Sequence, residues 1–303
     1  MTALYIILTA IIISVSCGLL GSFLVLRKMA MVGDAISHAV LPGIVVAFLV
    51  SGSRDNIPML IGAALVGVIT TILIEVLHKK ARLQEDAAIG VTFTWLFAIG
   101  VILISSYTGQ VDLDQECVLY GEIAYVPLDL LVTGNGMVMG PRALYISGTM
   151  LLLILLFLKV GYKGMVITTF NEDYARAIGL RSVFWNMVFM GMVSLTTVIS
   201  FESVGAILVV ALLIAPPAAA YLLTDSLKRM LWYSAVIGIL CSVGGYYLAT
   251  AIDGSIAGAM ATCSGLVFAA SFGYYKFRGR TRKTRASATD DGVYGQSLEI
   301  NES

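Results

Sequence analysis

Apolar runs near twenty residues long recur along this chain, at about residues 3–26, 29–50, 57–77, 88–106, 143–160, 183–200, 204–223, 231–251 and 255–275. Each is long enough to cross about 30 Å of hydrocarbon as a helix. Lipid offers the backbone no hydrogen-bond partner, so a crossing segment must close its own bonds, and nothing in the chain alternates as a barrel strand does. The expected fold is an all-α integral membrane protein, a polytopic bundle of about nine transmembrane helices. Eight spans with one re-entrant segment is the alternative, because the second run and the sixth-to-seventh boundary are poorly delimited. Of 303 residues only 13% are charged and 58% are hydrophobic, where a soluble domain has about 25% charged. A soluble enzyme is excluded.

The 19 basic and 19 acidic residues cancel, so net charge identifies no partner, and no nucleic-acid partner is expected. Their placement is informative. Arg27-Lys28, His78-Lys79-Lys80 with Arg82, the stretch Lys159 to Arg181, and Lys228-Arg229 punctuate the apolar runs. Basic residues favour the cytoplasmic side, and a nine-span path with its N-terminus outside puts every one of these clusters inside. The links Ser51–Asn56, Tyr107–Pro141 and Asp253-Gly254 then lie outside, the middle one acidic with Asp112, Asp114, Glu116 and Glu122. The first run has no basic n-region and no small-residue cleavage site, so it is read as a retained helix. Cys17, Cys117, Cys241 and Cys263 show no paired spacing, and for the three inside apolar runs (Cys17, Cys241 and Cys263) a small buried hydrophobe is the expected role. One transmembrane domain spans 1–277. Residues 278–303 form a cytoplasmic tail, basic and then acidic, expected to be disordered.

Two stretches are unusual for membrane helices. Met29 to Pro42 holds Gly33, Asp34, Ser37 and His38, and Ser200 to Pro217 holds Glu202, Ser203 and Gly205 before Pro216-Pro217. Each pairs an acid with a Gly and is expected to break at Pro. Interrupted segments of this kind point to a substrate path in transporters. Asp34 and His38 are four apart, so on a helix they project from one face. An ionised Asp within a span costs several kcal/mol unless paired, hydrated or metal-bound. A carboxylate with an imidazole suits Mn²⁺, Fe²⁺ or Zn²⁺ and suits Mg²⁺ or Ca²⁺ badly. The other reading is a structural pair near the cytoplasmic end of the span. Glu202 and Ser37 are candidates for the same path, although Glu202 equally suits a tight outer turn, and His78 is expected to be solvated.

The stretch Thr169 to Leu180 reads as a short amphipathic helix with Asn171 as its cap, Glu172 and Asp173 in its first turn, and Gly179 at its end. It is either a docking element for a soluble partner or an ordinary connector.

Four segments carry a resemblance: Leu26-Arg27-Lys28-Met29-Ala30-Met31-Val32-Gly33-Asp34-Ala35-Ile36-Ser37-His38-Ala39-Val40-Leu41-Pro42-Gly43; Ser200 to Pro216; Glu85-Asp86-Ala87-Ala88-Ile89-Gly90; and Asp173 to Leu180. In this order they resemble the permeases of manganese, zinc and iron ABC importers, over about residues 3 to 275. The resemblance implies a fold similar to cobalamin-importer permeases and a dimer with a second copy or a paralogue. It also implies a cytoplasmic ATPase on each permease, an extracytoplasmic metal-binding protein, and a place in the bacterial cytoplasmic (inner) membrane. By it, Asp34 and His38 contact metal in transit, while Asp173, Ala175, Arg176, Ala177 and Gly179 belong to the coupling helix. The form around Gly33 to Gly43 is nearer to manganese or iron members than to divergent zinc members. Glu122 stands where Asn is expected. No cofactor is held permanently; Mn²⁺, Zn²⁺ or Fe²⁺ is cargo.

No Gly-x-x-x-x-Gly-Lys-Ser/Thr loop occurs, so the chain is expected to be a transport subunit without its own ATP site, hydrolysis falling to a partner. A proton-coupled secondary metal transporter, with Asp34 or Glu202 carrying the proton, is the rival. An intramembrane protease is disfavoured, because His-Glu-x-x-His is absent and the adjacent side chains of Ser37 and His38 diverge.

Overall fold

Closing backbone bonds within the apolar runs gives eleven α-helices among the residues that the computed structural model describes, which are 2–52, 56–107, 123–132 and 138–299. They are α1 (Thr2–Leu26), α2 (Val32–Ala39), α3 (Leu41–Ser51), α4 (Asn56–Lys80), α5 (Glu85–Tyr107), α6 (Arg142–Phe170), α7 (Glu172–Ala177), α8 (Ser182–Val204), α9 (Ala206–Leu223), α10 (Leu227–Ile252) and α11 (Ile256–Glu299). Among the described residues nine spans are long and apolar enough to cross a membrane, with α2 and α3 together making one and Ile256–Phe277 of α11 making the last. The nine-span expectation holds. Described side chains of α11 end at Phe277, so the tail expected from residue 278 lies beyond them.

Alternating spans gather the links at 27–31, 81–84, 171–181 and 224–226 at one end of the bundle, here the basic end. The acidic segment with Asp112, Asp114, Glu116, Cys117 and Glu122 lies outside the described residues. A 3-10 turn, Ile123–Tyr125, follows it, and then an antiparallel hairpin of β1 (Leu130–Val132) and β2 (Val138–Pro141). The sequence analysis anticipated no strand there.

Small residues bring the helices together. α1 and α10 run antiparallel along one seam: the Ser234 hydroxyl donates to the Gly18 carbonyl at 3.0 Å, and the Ser242 hydroxyl donates to the Ala10 carbonyl at 3.3 Å. Between those contacts, a Cβ on Gly238 would stand 2.3 Å from Ser14 Oγ. Gly43 of α3 and Gly62 of α4 face each other so closely that a Cβ on either would stand 2.4 Å from the other's carbonyl oxygen. Interhelical hydroxyl bonds and close backbone approach of this kind hold membrane helices, at about 0.6–2 kcal/mol per bond.

Two expectations are corrected. The fifth span does not end near residue 160: α6 runs 29 residues to Phe170. Lys159 and Lys163 do not stop it, because long basic side chains reach the interface from within a helix. Gly161 and Gly164 keep it close to α8 by making a notch for the Trp185 ring. Nor does the chain break at Pro216-Pro217. Both prolines lie inside α9, and the break falls at Gly205, whose φ of 80° and ψ of 159° only glycine adopts readily. The prolines leave the carbonyls of Leu212 and Leu213 without a partner four residues on. Gly21 of α1 fills that gap: a Cβ there would stand 2.0 Å from the Leu213 oxygen. Gly21→Ala should therefore destabilise the protein by about 1–3 kcal/mol, while Gly265→Ala, with nothing within 4 Å, should be near neutral. Reversible unfolding in mixed micelles measures both.

Candidate functional site

The chain leaves α1 through a tight turn. Lys28 takes φ 64°, its amide donates to the Val25 carbonyl at 3.1 Å, and the Met29 amide donates to the Leu24 carbonyl at 3.0 Å. That 6→1 and 5→2 pair closes the helix end and turns the chain back into the bundle, where α2 begins. The span then breaks again at Val40, and Pro42 opens α3 in its first turn, where a missing amide proton costs nothing.

This inward turn sets the depth of Asp34 and His38. Gly33 packs on the Leu213 side chain and beside Thr197. Leu213 is the eighth of 18 residues in α9, and Thr197 is the sixteenth of 23 in α8. The pair therefore stands about halfway along the bundle. Asp34 and His38 are the third and seventh residues of the 20-residue span Val32–Ser51, and the five residues before α2 carry the start of that span inward.

His38 Nε2 lies 3.8 Å from Asp34 Oδ1, and the two side chains are 37% and 40% exposed. That separation is too long for a hydrogen bond. Two ligand atoms each about 2.1 Å from one tetrahedral metal stand about 3.4 Å apart, so a shared ion would need this pair to draw slightly closer. The imidazole has aromatic walls on α5, with the Phe93 and Phe97 rings each 6.0 Å away between centroids. Among the described residues no third His, Cys, Asp or Glu joins them. The arrangement offers two ligands and an open side for water or another chain.

Of the other path candidates, Ser37 is turned to its own helix. The Ser37 hydroxyl donates to the Asp34 carbonyl at 2.5 Å, so it secures the helix backbone. Glu202 lies in the last turn of α8, and its side chain is outside the described residues. His78 is exposed, as expected, with Nδ1 3.0 Å from the Leu83 carbonyl.

At the basic end α7 has the capping expected of it. The Asn171 side chain accepts from the Tyr174 amide at 2.9 Å. Gly179, at φ 79°, donates to the Arg176 carbonyl, and Leu180 donates to that of Ala175. Asp173, Arg176, Ala177 and Gly179 are exposed, whereas Ala175 is fully buried and turned into the bundle. Phe170, Tyr174 and Ile178 are 62%, 55% and 48% exposed. Sequence reasoning passed over these three. Tyr174 on α7 and Ile178 at its C-cap are four apart and share a side, while Phe170 ends α6 before the extended Asn171.

Among the described residues, nine spans with one interrupted at α2–α3, two joined tightly at Gly205, and a short capped helix between two others make a polytopic membrane bundle. The chain belongs to the ABC 3 transport family, whose model matches residues 2–274. The manganese transport system membrane protein MntD of Bacillus subtilis (strain 168) is 54% identical over 268 residues, 88% of this chain and 90% of that relative. The zinc transport system membrane protein TroD of Treponema pallidum (strain Nichols) is 41% identical over 264 residues, 87% of this chain and 71% of that one. Among solved structures, PsaBC from Streptococcus pneumoniae in complex with Fab superposes with a TM-score of 0.71 at 32% identity, covering 88% of this chain and 89% of the other. The protein is a multi-pass ABC permease.

Proposed function

We propose that this chain is the permease of an ATP-driven importer that carries a divalent transition metal into the cytoplasm, manganese first, zinc or iron after it. The observation that carries the reading is the Asp34–His38 pair halfway along the bundle, 3.8 Å apart and open on one side. One carboxylate and one neutral imidazole hold such an ion weakly, which suits passage better than storage. Two permeases, identical or paralogous, would face each other across a two-fold axis, each offering its own pair. A metal-binding protein outside the membrane would supply the ion. The names of MntD and TroD support manganese ahead of zinc.

Uptake of radiolabelled Mn²⁺ tests the pair. Asp34→Asn keeps the shape and removes the charge, and His38→Leu removes the nitrogen ligand. Each should lower uptake about tenfold or more at unchanged abundance, and Asp34→Glu should keep part of it. Normal uptake by Asp34→Asn would end the assignment.

The same reading makes α7 the element that docks a cytoplasmic ATPase, with the exposed Tyr174 and Ile178 as apolar contacts and the exposed Phe170 beside them at the end of α6. Gly179→Val forces a β-branched residue into φ 79° and should distort that face. The expected outcome is retained insertion, with ATP hydrolysis uncoupled from uptake. Full uptake with a full complement of bound ATPase would rule out docking there.

Orientation follows the basic links: the basic end faces the cytoplasm of a bacterial inner membrane, with the N-terminus outside. A cysteine in place of Arg82 should react with an impermeant thiol reagent only from the inside. Labelling from outside would invert the topology.

A further inference from the structure

At the basic end one side chain ties together three elements that are distant in sequence. Arg27 follows the last residue of α1. Its Nε donates to Thr169 Oγ1 at 3.1 Å, one terminal nitrogen donates to Asn186 Oδ1 at 2.5 Å, and the other donates to Thr168 Oγ1 at 3.3 Å. Its Cζ lies 4.7 Å over the centre of the Phe189 ring, which meets Phe23 of α1 edge-on at 6.0 Å. Thr168 and Thr169 stand in the last turn of α6, immediately before α7, and Asn186 stands in the second turn of α8, just after it. One guanidinium therefore holds both flanks of the docking helix. Through the turn at Lys28 and Met29, the same residue leads directly into α2 and its Asp34–His38 pair.

We propose that Arg27 is a positioning residue that transmits movement of α7 to α2, so that events at the docking helix reset the transit site. The inference rests on the docking role given to α7 above. A planar fork with several donors and an aromatic seat fixes direction as well as distance, which a flexible ammonium does not. The fork therefore links the two helix ends to the start of α2. The joint also has room to move, because Arg27 lines a cavity of about 320 Å³ with Lys28, Glu75, His78 and Asn186.

The test uses the full permease assembled with its ATPase in proteoliposomes, scoring Mn²⁺ uptake and ATP hydrolysis in the same preparation. Arg27→Lys keeps the charge and loses the fork. Expected are ATPase binding and hydrolysis within twofold of the parent, with the ATP hydrolysed per ion imported rising about tenfold. Asn186→Asp keeps an acceptor for the fork and should stay coupled, whereas Asn186→Leu should behave as Arg27→Lys does. Normal coupling in Arg27→Lys would overturn the proposal. So would uptake and hydrolysis falling together in proportion to protein abundance, the result of a purely structural role. Gly179→Val separates the two readings: if it uncouples while Arg27→Lys does not, docking at α7 stands and the joint fails. If Gly179→Val leaves ATPase binding and coupling intact, docking at α7 itself is lost.

Discussion

Apolar side chains gain nothing by leaving lipid for one another, so helices in a bilayer associate through close contact and shared hydrogen bonds. In this protein that constraint falls on glycine and serine. The α1–α10 seam works because the serine hydroxyls at 234 and 242 reach carbonyls across the interface, which requires the backbones to approach closely. The facing pair Gly43 and Gly62 repeats the device between α3 and α4. Rigid contacts of this sort give the bundle a fixed frame against which irregular segments can be held.

Those irregular segments depend on the frame for their backbone bonds. Every carbonyl that a proline or a helix break leaves open needs a neighbour in a solvent that supplies none. Below the Pro216-Pro217 pair in α9, Gly21 lets the backbone of α1 come against the Leu213 carbonyl. α2 tolerates its early start because the turn at Lys28 closes the end of α1 with two backbone bonds. Leu213 belongs to both arrangements, its oxygen facing Gly21 and its side chain facing Gly33. α1 and the helix with the acid–histidine pair thus both rest on one residue of the proline-bearing helix.

This explains what was legible in the sequence. Span number followed from the lengths of the apolar runs, and the Asp34–His38 pairing followed from a spacing of four. The capping of α7 followed from Asn171 and Gly179. All of these are local. The depth of Asp34 was not legible, because it depends on a turn that folds back into the bundle, with Lys28 in a conformation more usual for glycine. The continuation through Pro216-Pro217 was hidden because the helix that packs on the Leu213 carbonyl, α1, lies roughly two hundred residues earlier. Arg27 looked like one more basic residue of a membrane-flanking cluster. Its partners Thr169 and Asn186 are 142 and 159 positions away, beyond the reach of any periodicity.

A transit site must be selective enough to admit its ion and weak enough to release it. On the proposed reading, one permease alone presents one negative charge and one imidazole, which leaves a dication half neutralised. Two copies facing each other would supply two carboxylates, matching the charge of the ion, and two nitrogens, favouring transition metals over Mg²⁺ and Ca²⁺. Occupancy would then depend on how closely the two α2 helices approach, more than on any change of ligand. A small rotation that parted them would restore the half-neutralised state and lower the affinity without altering a single coordinating residue. A device that moves α2 as a body is therefore sufficient to convert a holding site into a releasing one. The short, doubly broken α2, with Val40 at one end and the closed turn at Lys28 at the other, has the boundaries such a body needs.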